Sequence, residues 1–218
     1  MADIPITPIA AVVPIAGDES GTTPIDLQQL LSRYLRPGTL SLAAMPPLSL
    51  YVHLPWCLKK CPYCDFNSHE HRASAGGDLP ETRYLDALRC DLEAALPLVW
   101  GRPVLSVFFG GGTPSYVEPA EIERIIEKVK QLYPNHKLKE ITLEANPDDM
   151  SLENLHAWKA MGVTRFSVGV QSFYDEHLQW MNRAHTAMEA ELALALAAEM
   201  GFELSLDLIF GIPNCSNE

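Results

Sequence analysis

The sequence predicts an α/β fold on a parallel sheet, either open or forming part of a barrel. Three observations predict it. From Leu48 onward, five short apolar runs alternate with helical stretches, the signature of parallel strands joined by helical crossovers. The glycines, acids and clustered cysteines that stand out all fall just after those runs, on the end of the sheet that carries sites in both architectures. At 218 residues, 47% hydrophobic and 20% charged, the chain has the length and composition of one globular domain with a real core.

The first 22 residues are rich in Pro, Ala and Thr and read as a disordered tail. Thr23 to Leu35 reads as a short helix: Thr23 caps it, Pro24 suits its first position, and Asp26 completes a box-like pattern. Pro37-Gly38 ends it, and residues 1–45 form an N-terminal extension to a core domain spanning 46–218. The first strand is Leu48–Leu54, followed by a long loop with three cysteines and the polar stretch Asn67–Asp78. A helix over Glu81–Leu96 puts Tyr84, Leu85, Leu88, Leu92 and Leu96 on one face. The second strand, Val104–Phe109, is mostly apolar and is expected to be buried on both faces. Ile122, Ile125, Ile126 and Val129 are in register on a helix over Pro119–Leu132. The third strand is Lys139–Glu144, and the next helix runs from an N-cap at Ser151 to a stop near Gly162. The fourth strand is Arg165–Val170. Helical segments follow at Tyr174–Met181 and Thr186–Met200, the latter with a capping box of Thr186 and Glu189 and a stop at Gly201. The fifth strand is Glu203–Phe210. No helix follows it, and five strands do not close an eight-stranded barrel, so the sequence reads as cut short.

The net charge of −12 argues against a nucleic-acid partner held by a basic surface. No apolar stretch reaches the roughly 20 residues that span a bilayer. The N-terminus lacks the basic start of a signal peptide, its first positive charge being Arg33. The expected location is therefore cytoplasmic, where clustered thiols mean metal or redox chemistry more often than disulfides.

Cys57, Cys61 and Cys64 form a CxxxCxxC pattern directly after the first strand. Three thiolates hold three irons of a [4Fe-4S] cluster and leave the fourth iron open to a small molecule. The competing reading is a structural zinc site, whose fourth ligand would come from His53, His69 or His71. Gly110-Gly111-Gly112-Thr113-Pro114 follows the second strand; it suits either close approach to a ligand or a tight turn, and it lacks the spacing of a phosphate or dinucleotide loop. Glu144 ends the third strand and Gln171 follows the fourth. Arg183 and Asp207, taken by themselves, read as an internal ion pair, and Tyr51 and Tyr63 as core aromatics. Cys90 lies on a helix as a small core residue.

The run Tyr51-Val52-His53-Leu54-Pro55-Trp56-Cys57 to Cys64 resembles the radical S-adenosylmethionine (SAM) superfamily, and within it the oxygen-independent coproporphyrinogen III oxidase family. The resemblance extends from about Leu48 to Pro213 through Gly110-Gly111-Gly112-Thr113-Pro114, Glu144-Ala145-Asn146-Pro147, Gly169-Val170-Gln171-Ser172, Asn182-Arg183-Ala184-His185 and Asp207-Leu208-Ile209-Phe210-Gly211-Ile212-Pro213. It implies a partial (βα) barrel, three-quarter TIM-like, with about five βα units present. It also implies a [4Fe-4S] cluster on Cys57, Cys61 and Cys64, with SAM on the open iron, split by one electron into methionine and a 5′-deoxyadenosyl radical. Gly111, Gly112 and Thr113 would contact the methionine part of SAM, and Glu144 its ribose. Gln171, Arg183 and Asp207 would face a second SAM or the substrate side. Tyr51 and Tyr63 align with cofactor-contacting positions.

The oxidases carry a further cysteine two residues after the third, where this sequence has Phe66. That departure is similar to the HemW subfamily of heme chaperones, which bind heme, a cluster and SAM. The resemblance then implies heme or a porphyrin as ligand, a heme-acceptor protein (membrane-associated acceptors included) and a reductant such as flavodoxin or NADH. Coproporphyrinogen III decarboxylation is the alternative. The subfamily's heme-binding motif and C-terminal domain lie beyond the fifth strand.

Overall fold

The computed structural model describes residues 44–71, 81–99, 101–134 and 137–213. The expected tail, the Thr23–Leu35 helix and Cys215 lie outside them, as does the polar stretch beyond His71. Residues Met45–Glu218 form one compact unit. Its strands are β1 (Leu48–Leu54), β2 (Trp56–Cys57), β3 (His69–Glu70), β4 (Val104–Gly111), β5 (Glu140–Ala145), β6 (Arg165–Gln171) and β7 (Glu203–Leu208). Its helices are α1 (Glu81–Ala95), α2 (Pro119–Leu132), α3 (Leu152–Met161), α4 (Asp175–Trp180) and α5 (Ala187–Glu199).

Five strands pair in parallel in the order β1-β4-β5-β6-β7. That order follows the chain with no reversal. A doubly wound sheet must reverse at a switch point, so the chain winds one way, as the wall of a barrel does. Right-handed crossovers stepping in one direction lay their helices along one face. There Ile122, Ile125, Ile126 and Val129 of α2, Leu155 and Trp158 of α3, and Ala190, Ala193 and Ala197 of α5 are buried in one core with Val107, Phe109, Leu143, Phe166 and Val168 of the sheet. Phe166 packs between Trp158 and Phe202, at ring separations of 5.3 and 4.8 Å.

Local chemistry sets the helix ends. The Ser151 hydroxyl accepts the Asn154 N–H at 3.2 Å, and Gly162, at φ +100°, turns the chain out of α3. Thr186 and Glu189 form the full capping box of α5. Helix α1 gives way to a tighter turn at Leu96–Leu98, where Pro97 stops it.

The opposite face of the sheet departs from expectation. Strand β4 is not buried on both sides, because alternate residues of the sheet are polar: Ser49 accepts from Ser106 at 2.8 Å, and Arg165 donates to Ser205 at 2.9 Å. Burial in β6 alternates strictly, with Phe166, Val168 and Val170 inward and Arg165, Ser167, Gly169 and Gln171 half-buried. The barrel wall is therefore apolar toward its helices and polar within. Strand β4 also runs two residues past its expected end, because the β1 ladder holds Gly110 and Gly111 opposite His53 and Leu54. Strand β7 stops at Leu208, opposite Gln171, and leaves Phe210 96% exposed.

Candidate functional site

The cysteine loop grows from β1 through Pro55. Its stem is the short parallel pair of β2 and β3, with Trp56 opposite His69 and Cys57 opposite Glu70. Backbone bonds from His69 N–H to Pro55 O (2.7 Å) and from His71 N–H to Cys57 O (2.9 Å) close it. Within the loop, the Lys60 ammonium donates to the carbonyls of Phe66 (3.1 Å) and Ser68 (2.9 Å), and the Lys60 N–H reaches Glu70. Lys60 is thus an internal strap. Asn67 is fixed from β1: His53 Nε2 donates to its carbonyl at 2.9 Å, which leaves Nδ1 to accept the Tyr51 hydroxyl at 3.0 Å.

The glycine run is held against this loop by its backbone. Gly112 N–H donates to Leu54 O at 2.8 Å and Thr113 N–H to Trp56 O at 2.7 Å. A Cβ on Gly112 would stand 2.5 Å from the Trp56 carbonyl oxygen, and one on Gly111 would strike the His53 ring at 2.5 Å. Gly111 also sits at φ +118°. Two of the glycines are therefore required by the protein's own packing, which the sequence reading assigned to a ligand or a turn.

A pocket opens at the carboxyl ends of the strands. Cys57, Cys61 and Cys64 line it, together with Tyr63, Gly112, Thr113, Glu144, Gln171, Arg183 and Asp207. Tyr51 does not: it is 59% exposed, stacked on Phe108 and tied to His53. Gly111 also stays outside the lining, and contributes its N–H to Glu144 Oε2 at 2.9 Å. The sequence reading gave no role to Asn146 or Ser167, which also line the pocket. Asn146 was findable: it stands two residues after Glu144, at the same strand end, before a proline.

The electrostatics follow from burial. Burial pushes the Cys57 thiol up, opposed by hydrogen bonds from Thr113 and Ser68. Burial also raises Glu144, against the Gly111 N–H, with Asp207 adding to the rise. Tyr63 is raised far above the ordinary phenol by burial and by its contact with Cys61. Gln171 adopts φ +68°, a left-handed conformation uncommon outside glycine, at the point where the β6–β7 register shifts.

Arg183 does not pair with Asp207. Its guanidinium is drawn instead to the ends of β5 and β6, donating to Asn146 Oδ1 and to Gly169 O, both at 2.6 Å, and to Cys61 Sγ at 3.4 Å. Asp207, on the last strand, is exposed. Beneath the rim, Ser115 donates to Asp149 at 2.6 Å, and burial lifts the Asp149 carboxyl to about 6. Burial would lift Asp148 too, but the buried His185 ring beside it outweighs that and holds it low. Among the described residues, no group of three His, Cys, Asp or Glu side chains is placed to hold a single metal ion. The described helices include none long and apolar enough to cross a membrane. The pocket therefore offers soft thiol donors on one loop, acidic and neutral polar groups from the ends of β5, β6 and β7, and the Arg183 cation from the turn after α4.

A sequence profile of the Radical SAM superfamily matches residues 51–218. The heme chaperone HemW of Haemophilus influenzae is 42% identical over 175 residues, covering 78% of this chain and 45% of the relative. The mitochondrial radical S-adenosyl methionine domain-containing protein 1 of Bos taurus is 40% identical over 166 residues, covering 76% of this chain and 36% of the relative. Among solved structures, the coproporphyrinogen III oxidase HemN of Escherichia coli, described as a radical SAM enzyme, superposes with a TM-score of 0.68 at 35% identity. That match covers 78% of this chain and 38% of the other. The chain spans under half the length of these relatives.

Proposed function

The chain belongs to the radical SAM superfamily, and on that premise we propose that its rim pocket holds a [4Fe-4S] cluster with SAM and that the protein serves heme delivery. The single observation that carries the reading is that three thiols, Gly112, Thr113 and Glu144 line one pocket at the strand ends. The donor set suits the group: thiolates are the ligands of iron–sulfur clusters. A cluster takes one thiolate per iron, so its ligands stand apart, whereas zinc needs them to converge on one point.

Cys57, Cys61 and Cys64 would ligate the cluster. Thr113, Glu144 and the Gly112 backbone would line the SAM side, and Gln171 and Asp207 the farther rim. Tyr63 contacts Cys61, while Tyr51 acts through His53 on the loop. A cluster held by these thiols would supply one electron to SAM. This chain's own residues fix the loop (Lys60, His53), set the glycine strip against it and present Glu144 with its charge held by the Gly111 N–H.

Heme delivery is favoured over porphyrin oxidation by Phe66. It lies on the cluster loop, lines the pocket and is 61% exposed, at the position where the oxidases bear a fourth cysteine. The curated relative named a heme chaperone supports the same reading. The oxidase reading draws on the likeness to the coproporphyrinogen III oxidase. Heme or a porphyrin, an acceptor protein and a low-potential reductant are the partners this reading requires.

Anaerobic reconstitution of the chain tests it. About four irons with matching sulfide per chain are expected, and a heme titration of a form of the full length of its relatives should change the Soret band with an end point near one heme per chain. Zinc without iron would overturn the cluster. Conversion of coproporphyrinogen III to a vinyl product with SAM and reductant, without heme binding, would overturn heme delivery in favour of oxidation.

A further inference from the structure

Arg183 has an unusual set of partners for a half-buried cation. Its acceptors include an amide oxygen, a backbone carbonyl and a cysteine sulfur, with Tyr63 hydrogen-bonded beside them, while the Asp148 and Asp149 carboxylates act on it only through space. Its backbone is fixed first: Asn182, at φ +59°, turns the chain out of α4, and Arg183 N–H donates back to Leu178 O at 2.9 Å. Its side chain is fixed next, by the two 2.6 Å bonds from one guanidinium nitrogen to Asn146 and Gly169. Asn146 is itself held, with its N–H on Ser115 and its amide on Thr113. Gly169 leaves the room, since a Cβ there would stand 3.3 Å from the guanidinium. The Nε is buried with no partner, a cost that a surface arginine would avoid. The other terminal nitrogen is left aimed at Cys61 Sγ, 3.4 Å away.

We propose that Arg183 is a positioning residue that hydrogen-bonds the Cys61 thiolate and raises the reduction potential of the cluster bound there. The proposal rests on the cluster reading above and adds to it a role for this one side chain. Reduction adds one electron, and so one negative charge, to the cluster and its thiolates; no bond to the protein forms or breaks. A cation in contact with one of those sulfurs favours the state with more negative charge, and hydrogen bonds to the sulfurs are a principal lever on such potentials. The bond is charge-assisted, of the stronger kind. A difference of one tenfold step between the two oxidation states is the expected scale, which for a one-electron couple is about 59 mV.

The test is an EPR-monitored potentiometric titration of the reconstituted chain without SAM, with dithionite as electron source. In R183Q, the reduced-to-oxidised ratio at fixed potential should fall about tenfold, a shift of about 59 mV to lower potential. N146A, which removes the guanidinium's anchor but not its charge, should shift the same way by less. R183K, which keeps the charge, should stay nearest the parent. Equal potentials in parent, R183Q and N146A at equal iron content would overturn the proposal, as would a shift to higher potential. If R183Q does not load iron, N146A against R183K decides by the same criteria. A parent chain that binds no iron overturns the cluster reading itself, an outcome distinct from a loaded cluster whose potential ignores Arg183.

Discussion

Replacing Gly112 with alanine should strike the fold and the site together. The added Cβ would stand 2.5 Å from Trp56 O, 2.7 Å from Pro55 C and 2.8 Å from Trp56 C. All three are backbone atoms, so no side-chain rotation relieves the clash. The strip must lift away from the loop, which breaks or lengthens the Gly112–Leu54 and Thr113–Trp56 bonds. Two backbone bonds at about 1 kcal/mol each, with about 1–3 kcal/mol for overpacking, give a loss of about 3–5 kcal/mol. In a chain of this size that lowers the melting temperature by roughly 10 °C. Cys57 follows Trp56 directly, so iron loading should fall as well. Thermal unfolding by circular dichroism and iron analysis after anaerobic reconstitution measure the two effects. Gly101→Ala is the control: its φ of +67° strains an alanine by about 1–2 kcal/mol, but nothing lies within 4 Å of the new Cβ, so iron loading should not change. A G112A protein with parental stability and full iron would refute the packing account of this glycine.

Three other outcomes are expected. Asp149 has its carboxyl raised to about 6 by burial, opposed by its bond from Ser115. A raised carboxylate binds its proton more tightly folded than unfolded, so it lowers stability as pH rises from about 4 to about 6 and costs at most about 3 kcal/mol above that. Asp149→Asn should therefore raise the urea midpoint at pH 7.5 (a chosen assay pH, roughly neutral) and have little effect near pH 4. Thr186→Ala removes the hydroxyl that accepts the Glu189 N–H at 3.3 Å and should cost about 1 kcal/mol in urea unfolding. Glu144→Gln keeps an oxygen for the Gly111 N–H but loses the charge. It should weaken SAM binding to the loaded chain about tenfold, the loss of one charge-assisted bond, in equilibrium dialysis, with the melting temperature unchanged.

What the sequence made legible has a physical pattern. Strand Leu48–Leu54 and helix Pro119–Leu132 were read at their observed bounds because apolar period, proline position and burial all agree there. The caps at Ser151 and Thr186 were read correctly because a capping side chain bonds within three residues of itself. The fold and the pocket's main lining followed from what stands at each strand end. The rest depends on contacts distant along the chain. The β2–β3 stem has two residues per strand and no periodicity to detect. The second face of β4 looked apolar, yet Ser106 lies on it, and only the pairing sets it on Ser49 of β1. The need for Gly112 comes from the Trp56 backbone, which has no side-chain signature. Arg183 and Asp207 carry opposite charges, which suggested a pair. Asn146 and Gly169 lie nearer and hold the guanidinium toward Cys61, and Asp207 remains in water on β7.

The Arg183–Cys61 contact spans 122 residues of chain. Synthesis proceeds at about 5–20 residues per second, so the cysteine loop waits about 6–24 s between its own emergence and that of its cation. The three thiols begin that interval with only β1 beneath them; the glycine strip and then the ends of β5 and β6 emerge during it, and Arg183 comes last. A nascent chain in that state is exposed to oxidant and to stray metal in a way the finished pocket is not. The order of elements along the chain thus sets a period of chemical vulnerability that closes only when Arg183 reaches Cys61.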